Sequence, residues 1–314
     1  MKGQIFITTF IFLVLFSACS GQINTEARKT GSARRSEVKD PSIRNEVAKI
    51  AAEAKGKVGV YVLNLKTAEY FSFNGDGHFP MQSVYKLPIS LAVIKKFEDQ
   101  HLDLEEKITV TKDDMVGPNQ HSPLRDKFPY GTQISVRELI KYALQESDGS
   151  AGDVVMHVAG GPERIQTYLG TIGITNMKIL STEKQIGAAW ETQYKNRSTP
   201  KAAVDLLRAL QEGRALSNEG DRQMVLRMMT ESSPGANRIR GLLGDTPVAH
   251  KTGTSGTKDG ITAATNDIGI VTLPNGRRLA IAVFVRDSPA DEKTREATIA
   301  KVTKVIFDHL KTGK

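Results

Sequence analysis

Strand-like segments at both ends of the sequence, separated by a long helix-like stretch, constrain the fold most. β-branched and aromatic residues are enriched over residues 58–65 and 69–75, and again in three segments between 246 and 287. Residues 81–234 carry several stretches with the apolar spacing of amphipathic helices. The sequence therefore predicts an α+β fold: an antiparallel sheet built from both chain ends with flanking helices, plus a mostly helical inserted domain.

This pattern divides the folded part into two predicted lobes. An α/β lobe comprises residues 41–80 and 235–314, with flanking helices expected over residues 42–56 and 290–310. A helical lobe comprises residues 81–234. Binding sites often lie at the seam between two lobes, so we expect functional residues to converge there.

The N-terminal residues are typical of a targeting segment. Lys2 precedes an apolar run that ends at Phe16 and is too short to span a membrane comfortably. The single cysteine, Cys19, follows a small residue, and two alternatives stay open: a lipoprotein signal with acylation of Cys19, or ordinary signal cleavage near Gly21. In either case we predict that residues 1–19 are a signal peptide. The protein is then periplasmic or secreted, and touches the membrane only through an anchor at Cys19.

Composition adds two expectations. Residues 20–40 lack periodic apolar positions and are rich in charged and small residues, which is typical of a flexible leader. In the whole sequence 43 Lys and Arg oppose 35 Asp and Glu, for a formal charge of +8. The basic residues are interspersed with acidic ones, so we predict a mixed solvated surface, no nucleic-acid partner, and a monomer.

The motifs that carry chemistry indicate a serine nucleophile. The sequence has no GxSxG elbow, no Walker loop, no HExxH and no GxGxxG after a strand, and its histidines are far apart. We therefore predict neither a metal site nor a cofactor. SxxK occurs five times and KTG three times. Only Ser83 precedes a long helix-like run, and only Lys251 lies in a strand-like segment, so context selects these two copies.

Each selected element has a chemical rationale and a plain structural alternative. Residues three apart share a helix face, so the Lys86 amine can lie beside the Ser83 hydroxyl; the alternative is a helix-start serine with a surface lysine. Ser147 can pass a proton toward a leaving nitrogen, or can belong to a helix cap. Lys251 and the two threonines after it can bind an anionic substrate, with Gly253 allowing close approach, or can form an edge strand with a protective lysine.

Five segments occur together in the order of one enzyme family. They are SVYK at 83–86, ESDG at 146–149, STEKQI at 181–186, GANRIRGLL at 235–243, and HKTGTSG from 250 followed by TAATNDIGI. On these segments the chain from about residue 41 onward resembles a class A serine β-lactamase, in particular the PER-type, cephalosporinase-like branch. The resemblance implies the β-lactamase and penicillin-binding transpeptidase-like fold. It also implies β-lactam substrates, a contribution to β-lactam resistance, and no cofactor.

The resemblance assigns catalytic roles to individual residues. Ser83 would be the acylated nucleophile and Lys86 its proton partner, while Ser147 would donate a proton to the β-lactam nitrogen. Glu183 would activate the water that hydrolyses the acyl-enzyme, and such a general base contributes about 10²–10⁴ in rate. The N–H groups of Ser83 and Thr254 would form the oxyanion hole, where one donor contributes about 10²–10³ in rate.

The same match implies how the substrate is bound. Its carboxylate would lie on the KTG strand beside Arg238, with Arg240 in a structural role, and His121 stands where the family often has an aromatic gatekeeper. The implied substrate-binding residues are Lys251, Thr252, Gly253, Thr254, Arg238, His121 and Gly149.

Two glycines depart from the family pattern. Gly149 stands where most members have an Asn that contacts the substrate and the catalytic lysine, and Gly187 stands where an Asn commonly helps to hold the deacylating water. These departures leave substrate range and efficiency open. Two rival functions also stay open: a D-alanyl-D-alanine carboxypeptidase or other penicillin-binding enzyme, and a β-lactam sensor domain that remains acylated. Glu183 favours hydrolysis over both.

Overall fold

The computed structural model describes residues 35–312. The predicted signal peptide, Cys19 and the leader up to residue 34 lie outside the described residues. The described strands, numbered in chain order, are β1 (Ser36–Glu37), β2 (Lys57–Asn64), β3 (Glu69–Phe73), β4 (Phe79–Pro80), β5 (Lys107–Thr111), β6 (Gly131–Ser135), β7 (Met177–Lys178), β8 (Arg197–Ser198), β9 (Val248–Thr254), β10 (Thr257–Lys258), β11 (Ile261–Thr272) and β12 (Arg278–Ser288).

Helices connect and cover these strands. They are α1 (Pro41–Glu53), α2 (Lys86–Gln100), α3 (Pro123–Lys127), α4 (Val136–Leu144), α5 (Gly149–Val158), α6 (Gly161–Thr171), α7 (Glu183–Ala188), α8 (Pro200–Gln211), α9 (Glu219–Thr230) and α10 (Glu292–Thr312), with 3₁₀ turns at Gln82–Tyr85, Lys112–Asp114, Trp190–Tyr194 and Ile239–Leu242. None of the helices between residues 35 and 312 combines the length and apolar character that a membrane span requires.

The main sheet joins strands from both ends of the described chain. Its order is β1-β3-β2-β12-β11, and both β9 and β10 pair with the far edge of β11. Every pair is antiparallel except β1 with β3, which is parallel. The predicted α+β fold is therefore confirmed, with one parallel edge strand added.

Both faces of this sheet are buried, and alternate residues of its central strands supply the two cores. In β2, Val60 and Val62 pack with α1 and α10, whereas Tyr61 and Leu63 pack with the helices of the insertion. Helix α8 lies against β2 and β12 on this second face. The described residues form one compact unit, and the division into two lobes after residues 80 and 234 stays a prediction.

The predicted leader is wrong at its C-terminal end. The Ser36 N–H donates to the Ala68 carbonyl (3.2 Å) and the Val38 N–H to the Tyr70 carbonyl (2.8 Å). Arg35 forms an ion pair with Asp205 on α8. Residues 35–40 are therefore part of the folded domain. The apolar pattern missed them because main-chain hydrogen bonds and an ion pair hold them in place.

Strands also occur where only helices were predicted. Strands β5 and β6 form a two-stranded antiparallel sheet, and β7 and β8 form a small sheet with β4, which lies just before the predicted helical stretch. The strands of that small sheet have two residues each, too few to show an alternating pattern. Helix α5 was missed as well, because its GSAGD start is rich in small residues.

The attachment of β1 predicts a measurable contribution to stability. Arg35→Ala should lower the free energy of unfolding by about 1–2 kcal/mol, because partly buried Asp205 loses a charged hydrogen-bond donor. Urea-induced unfolding followed by circular dichroism measures this change.

The matched control is Lys95→Ala, which removes an exposed helical pair with Asp99 and should cost less than about 0.5 kcal/mol. Equal losses in the two variants would contradict a specific role of Arg35 in holding β1.

Candidate active site

Ser83 lies on a tight turn at the start of α2. The 3₁₀ turn Gln82–Tyr85 leads directly into α2, so Ser83 and Lys86 lie on the same side of the chain. Gln82 has φ of +47°, an unfavourable value for a residue with a side chain, and its amide donates to buried Gln193 (2.8 Å). The Lys86 Nζ donates to Ser83 Oγ at 2.7 Å. The structure therefore brings together the two residues that the spacing paired.

Glu183 approaches the same lysine from another element. It is the first residue of α7, and Thr182 caps that helix. Glu183 Oε2 accepts hydrogen bonds from Lys86 Nζ (3.1 Å) and from the Tyr85 hydroxyl (2.6 Å). Burial raises the pKa of Glu183, but the Lys86 charge and the two donated hydrogen bonds outweigh burial and hold the pKa below its usual value. A carboxylate, an amine and the Ser83 hydroxyl thus form one hydrogen-bonded chain.

Two residues of this arrangement were missed in the sequence. The Tyr85 ring is fully buried, and burial raises its pKa well above the usual value, so its hydroxyl remains a donor to Glu183. Asp153, on α5, accepts hydrogen bonds from the N–H groups of Glu183 (2.5 Å) and Lys184 (3.0 Å). Tyr85 stands inside the SxxK motif, so the motif itself indicates that this residue lies close to the site. Asp153 carries no local signal, because its partners are 30 and 31 residues away.

Ser147 meets Lys251 on the opposite side of the site. Ser147 has φ of +57°, and the next residue, Asp148, caps α5 and accepts from the Leu124 N–H (2.6 Å), which fixes the turn. Lys251 Nζ donates to Ser147 Oγ at 2.9 Å. Burial lowers the pKa of Lys251 well below its usual value, and the nearby Lys86 charge lowers it further. The KTG lysine is a buried partner of Ser147 and not a protective surface lysine.

Strand β9 lies directly against the turn that carries Ser83. A Cβ atom at Gly253 would lie 2.3 Å from the Met81 carbonyl oxygen and 3.2 Å from the Val84 nitrogen. Glycine is therefore required here for the strand to approach the turn. The close approach of a substrate at Gly253 stays a prediction; within the protein, the close neighbour of Gly253 is the 3₁₀ turn.

Arg238 lies behind β9 rather than on the open surface. Its guanidinium donates to the Gly253 carbonyl (3.3 Å) and to the Thr254 hydroxyl (2.7 Å), and it pairs with Glu296 (3.0 Å). The side chain is almost fully buried. Arg240 donates to main-chain carbonyls at the end of α9. Arg238 therefore lies next to Thr254 but is not among the residues that line the cleft.

The structure gives a physical reason for Gly149. A Cβ atom there would lie 2.9 Å from Glu183 Cγ and 3.1 Å from the His121 carbonyl oxygen, which accepts the Gly149 N–H (2.9 Å). A side chain at 149 is thus incompatible with the present position of Glu183. The His121 ring is exposed, with Nε2 2.8 Å from the Glu146 carbonyl.

These groups surround a cleft of about 680 Å³. Its lining includes Ser83, His121, Ser147, Glu183, Gly187, Trp190, Thr252, Gly253 and Thr254. Lys86, Lys251 and Arg238 lie buried close behind this surface. Between residues 35 and 312 no group of three or more His, Cys, Asp or Glu side chains is arranged to hold a metal ion.

The environment of Asp153 predicts a pH-dependent stability. Burial raises its pKa to about 6, so the carboxylate form is disfavoured in the folded state and stability is lost as pH rises from about 4 through about 6. Asp153→Asn removes this titration. The unfolding free energy of the variant, relative to the parent, should therefore increase as pH rises from about 4 to about 7 in a series of urea titrations.

Asp76→Asn, on an exposed turn, serves as the control substitution. A difference between parent and Asp153→Asn that is the same at every pH would contradict the raised pKa.

Comparison with known proteins supports the resemblance to the class A β-lactamases. The chain matches the model of the β-lactamase enzyme family over residues 42–310. β-Lactamase VEB-1 of Pseudomonas aeruginosa is 35% identical over 266 residues, covering 84% of this chain and 89% of that protein. Extended-spectrum β-lactamase PER-1 of the same species is 35% identical over 270 residues, covering 85% of this chain and 87% of that protein.

A solved structure agrees with these relatives. The crystal structure of a β-lactamase from Chitinophaga pinensis DSM 2588 matches with a TM-score of 0.83 and 40% identity, covering 86% of this chain and 99% of that chain. The family match, these relatives and the common fold lead to one conclusion. The chain belongs to the class A serine β-lactamases, in their PER-type branch.

Proposed function

We propose that this protein hydrolyses the β-lactam amide of penicillins and cephalosporins through an acyl-enzyme on Ser83, and so confers resistance to them. One observation carries the proposal: the Lys86 amine lies 2.7 Å from Ser83 Oγ and 3.1 Å from Glu183 Oε2. A nucleophile and a carboxylate base thus share one buried proton carrier. Serine acylation and water activation both need such a carrier.

Acylation begins at Ser83. The Lys86 amine, in its unprotonated form, accepts the Ser83 proton as Ser83 Oγ attacks the lactam carbonyl carbon. The C–N bond breaks, the nitrogen takes a proton from Ser147, and Lys86 passes the proton that it accepted from Ser83 on to Ser147. Because Ser147 Oγ accepts a hydrogen bond from Lys251, its own proton is free to point into the cleft.

The oxyanion of the tetrahedral intermediate would bind to the N–H groups of Ser83 and Thr254. Gly253 supports this role because its missing side chain lets β9 lie against the Ser83 turn. Two main-chain donors held by rigid elements need no rearrangement as charge develops, and this property makes an oxyanion hole effective.

Deacylation depends on Glu183. In the acyl-enzyme its carboxylate takes a proton from a water molecule as the water oxygen attacks the ester carbonyl carbon. The bond to Ser83 Oγ then breaks, and the proton returns to Ser83 along Lys86. The low pKa of Glu183 keeps this base ionised at neutral pH.

The substrate carboxylate would bind at the mouth of the KTG strand. Thr252 and Thr254 line the cleft, with the Lys251 amine behind them. Arg238 orients the Thr254 hydroxyl by donating to its oxygen. We assign His121 to the outer edge of the substrate side-chain site, because it is exposed and lines the same cleft.

Of the rival functions, the structure offers no observation that favours a carboxypeptidase or a sensor. Both acylate a serine without needing a carboxylate beside the lysine, whereas here Glu183 is hydrogen-bonded to Lys86 and Tyr85. We further propose a monomer that is delivered across the inner membrane, either free or anchored at Cys19. Mass spectrometry of the mature N-terminus would identify the form.

Two substitutions separate hydrolysis from acylation alone. Ser83→Ala should abolish turnover of a chromogenic cephalosporin, because no acyl-enzyme forms. Glu183→Gln should acylate normally but lose about 10²–10⁴ in turnover, because water activation fails, and a covalent adduct should accumulate in intact-protein mass spectrometry.

The outcome distinguishes the candidate functions. A parent protein that gives one stoichiometric burst without turnover would support the sensor or the penicillin-binding enzyme. Normal turnover by Glu183→Gln would contradict the assignment of Glu183 as the base that activates the water.

The hydrogen bond from Tyr85 predicts the pH profile of turnover. Tyr85→Phe removes a donor to the Glu183 carboxylate, so the pKa of Glu183 should rise and the acidic limb of the kcat profile should move to higher pH. Tyr70→Phe, at a stacked ring in the main sheet, is the control. An unchanged acidic limb in Tyr85→Phe would contradict this electrostatic role.

A further inference from the structure

Glu183 is held by its main chain as well as by its side chain. Its N–H donates to the Asp153 carboxylate (2.5 Å), and its carbonyl oxygen accepts a hydrogen bond from the Gln120 amide (2.6 Å). The two partners come from α5 and from the loop before α3, which are separate elements. Both polar groups of the Glu183 backbone therefore have a side-chain partner from outside α7.

The loop that carries Gln120 is braced. The Gln120 N–H donates to the Gly117 carbonyl (3.0 Å), and its own carbonyl accepts from the Arg125 guanidinium (2.9 Å). The same guanidinium donates to the carbonyls of Gly117 (2.5 Å) and Val116 (3.3 Å). Arg125 thus holds three carbonyls of this loop, and these hydrogen bonds fix the backbone position from which the Gln120 side chain extends.

Gln120 also fills the space above Gly187. A Cβ atom at Gly187 would lie 2.4 Å from Gln120 Cδ, 2.5 Å from Oε1 and 2.6 Å from Nε2. Atoms that are not bonded do not approach this closely, so a side chain at 187 and the present Gln120 conformation exclude each other. Because Glu183 and Gly187 are four residues apart, one amide contacts α7 at both ends of a helical turn.

We propose that Gln120 is a positioning residue for hydrolysis of the acyl-enzyme, and that Gly187 is the complementary position that lets it reach Glu183. The proposal rests on the proposed function, because it assigns to Gln120 the task of holding the base of that reaction. Gln120 keeps α7, and with it the Glu183 carboxylate, at the distance from Lys86 that the structure shows. Acylation needs neither contact.

The test uses steady-state and burst kinetics on Gln120→Ala and Gln120→Glu. The Glu variant has the same shape but replaces the amide donor by an acceptor facing the Glu183 carbonyl. A misplacement of about 1 Å can cost about 10² in rate, so we expect kcat to fall by about 10- to 100-fold. The value of kcat/KM, which reports acylation, should stay within about twofold, so KM should fall together with kcat. The acyl-enzyme should accumulate in mass spectrometry.

Rescue separates positioning from general destabilisation. Gly187→Asn alone should lower kcat, because its side chain collides with Gln120. In Gln120→Ala the collision is gone, so Gly187→Asn added to it should cost less than Gly187→Asn does in the parent. Additive losses would overturn the complementarity, and a loss of kcat/KM equal to the loss of kcat would overturn the positioning role. Gln133→Glu, on an exposed strand residue, is the charge-matched control.

The two proposals fail in distinguishable ways. If Glu183→Gln accumulates the adduct but Gln120→Glu and Gln120→Ala turn over normally, only the role of Gln120 is wrong. If Glu183→Gln turns over normally, the base itself is wrong.

Discussion

A buried lysine amine is the constraint on which the site depends. Lys86 is almost fully buried, and a charge in that position is very costly without partners. Its Nζ has Ser83 Oγ and Glu183 Oε2 within hydrogen-bond distance, and it lies 5.4 Å from the centre of the Tyr85 ring. A Cβ atom at Gly152 would lie 2.8 Å from Lys86 Cε, so α5 must present a glycine where the side chain passes. Satisfying one amine thus draws α2, α5 and α7 together.

Absent side chains shape the cleft as much as present ones. Gly253 lets β9 approach the Ser83 turn, and Gly149 leaves room for the Glu183 side chain. Gly187 leaves room for Gln120. At Gly149 and Gly187, the two departures from the family pattern, the missing side chain does not leave empty space. Each is filled by a neighbouring side chain, which relates the unusual residues to the placement of Glu183.

The same packing fits the proposed division of residues between acylation and hydrolysis. Ser83 lies on the 3₁₀ turn before α2, Ser147 on the turn before α5 and Lys251 on β9. None of these three residues belongs to α7. Glu183 belongs to a six-residue helix that contributes no fully buried residue to the core. A short element without such an anchor needs polar contacts to hold its position, and side chains from α5 and the Gln120 loop provide them.

The sequence by itself determined the α+β class, the central strands and most long helices, because alternation and helical spacing are local properties. Motif order with family resemblance also selected Ser83, Lys86, Ser147, Glu183 and Lys251. Only the tertiary structure showed that residues 35–40 belong to the folded domain and that Arg238 lies buried behind Thr254.

Only the tertiary structure identified Asp153 and Gln120 as well. Their contacts with Glu183 join residues 30 and 63 positions apart, and no periodicity or local motif encodes such a contact. The same holds for the lack of room for a side chain at Gly149 and Gly187. A glycine in a sequence indicates a backbone with wide conformational freedom. The atoms that occupy the space beside it are known only from the folded structure.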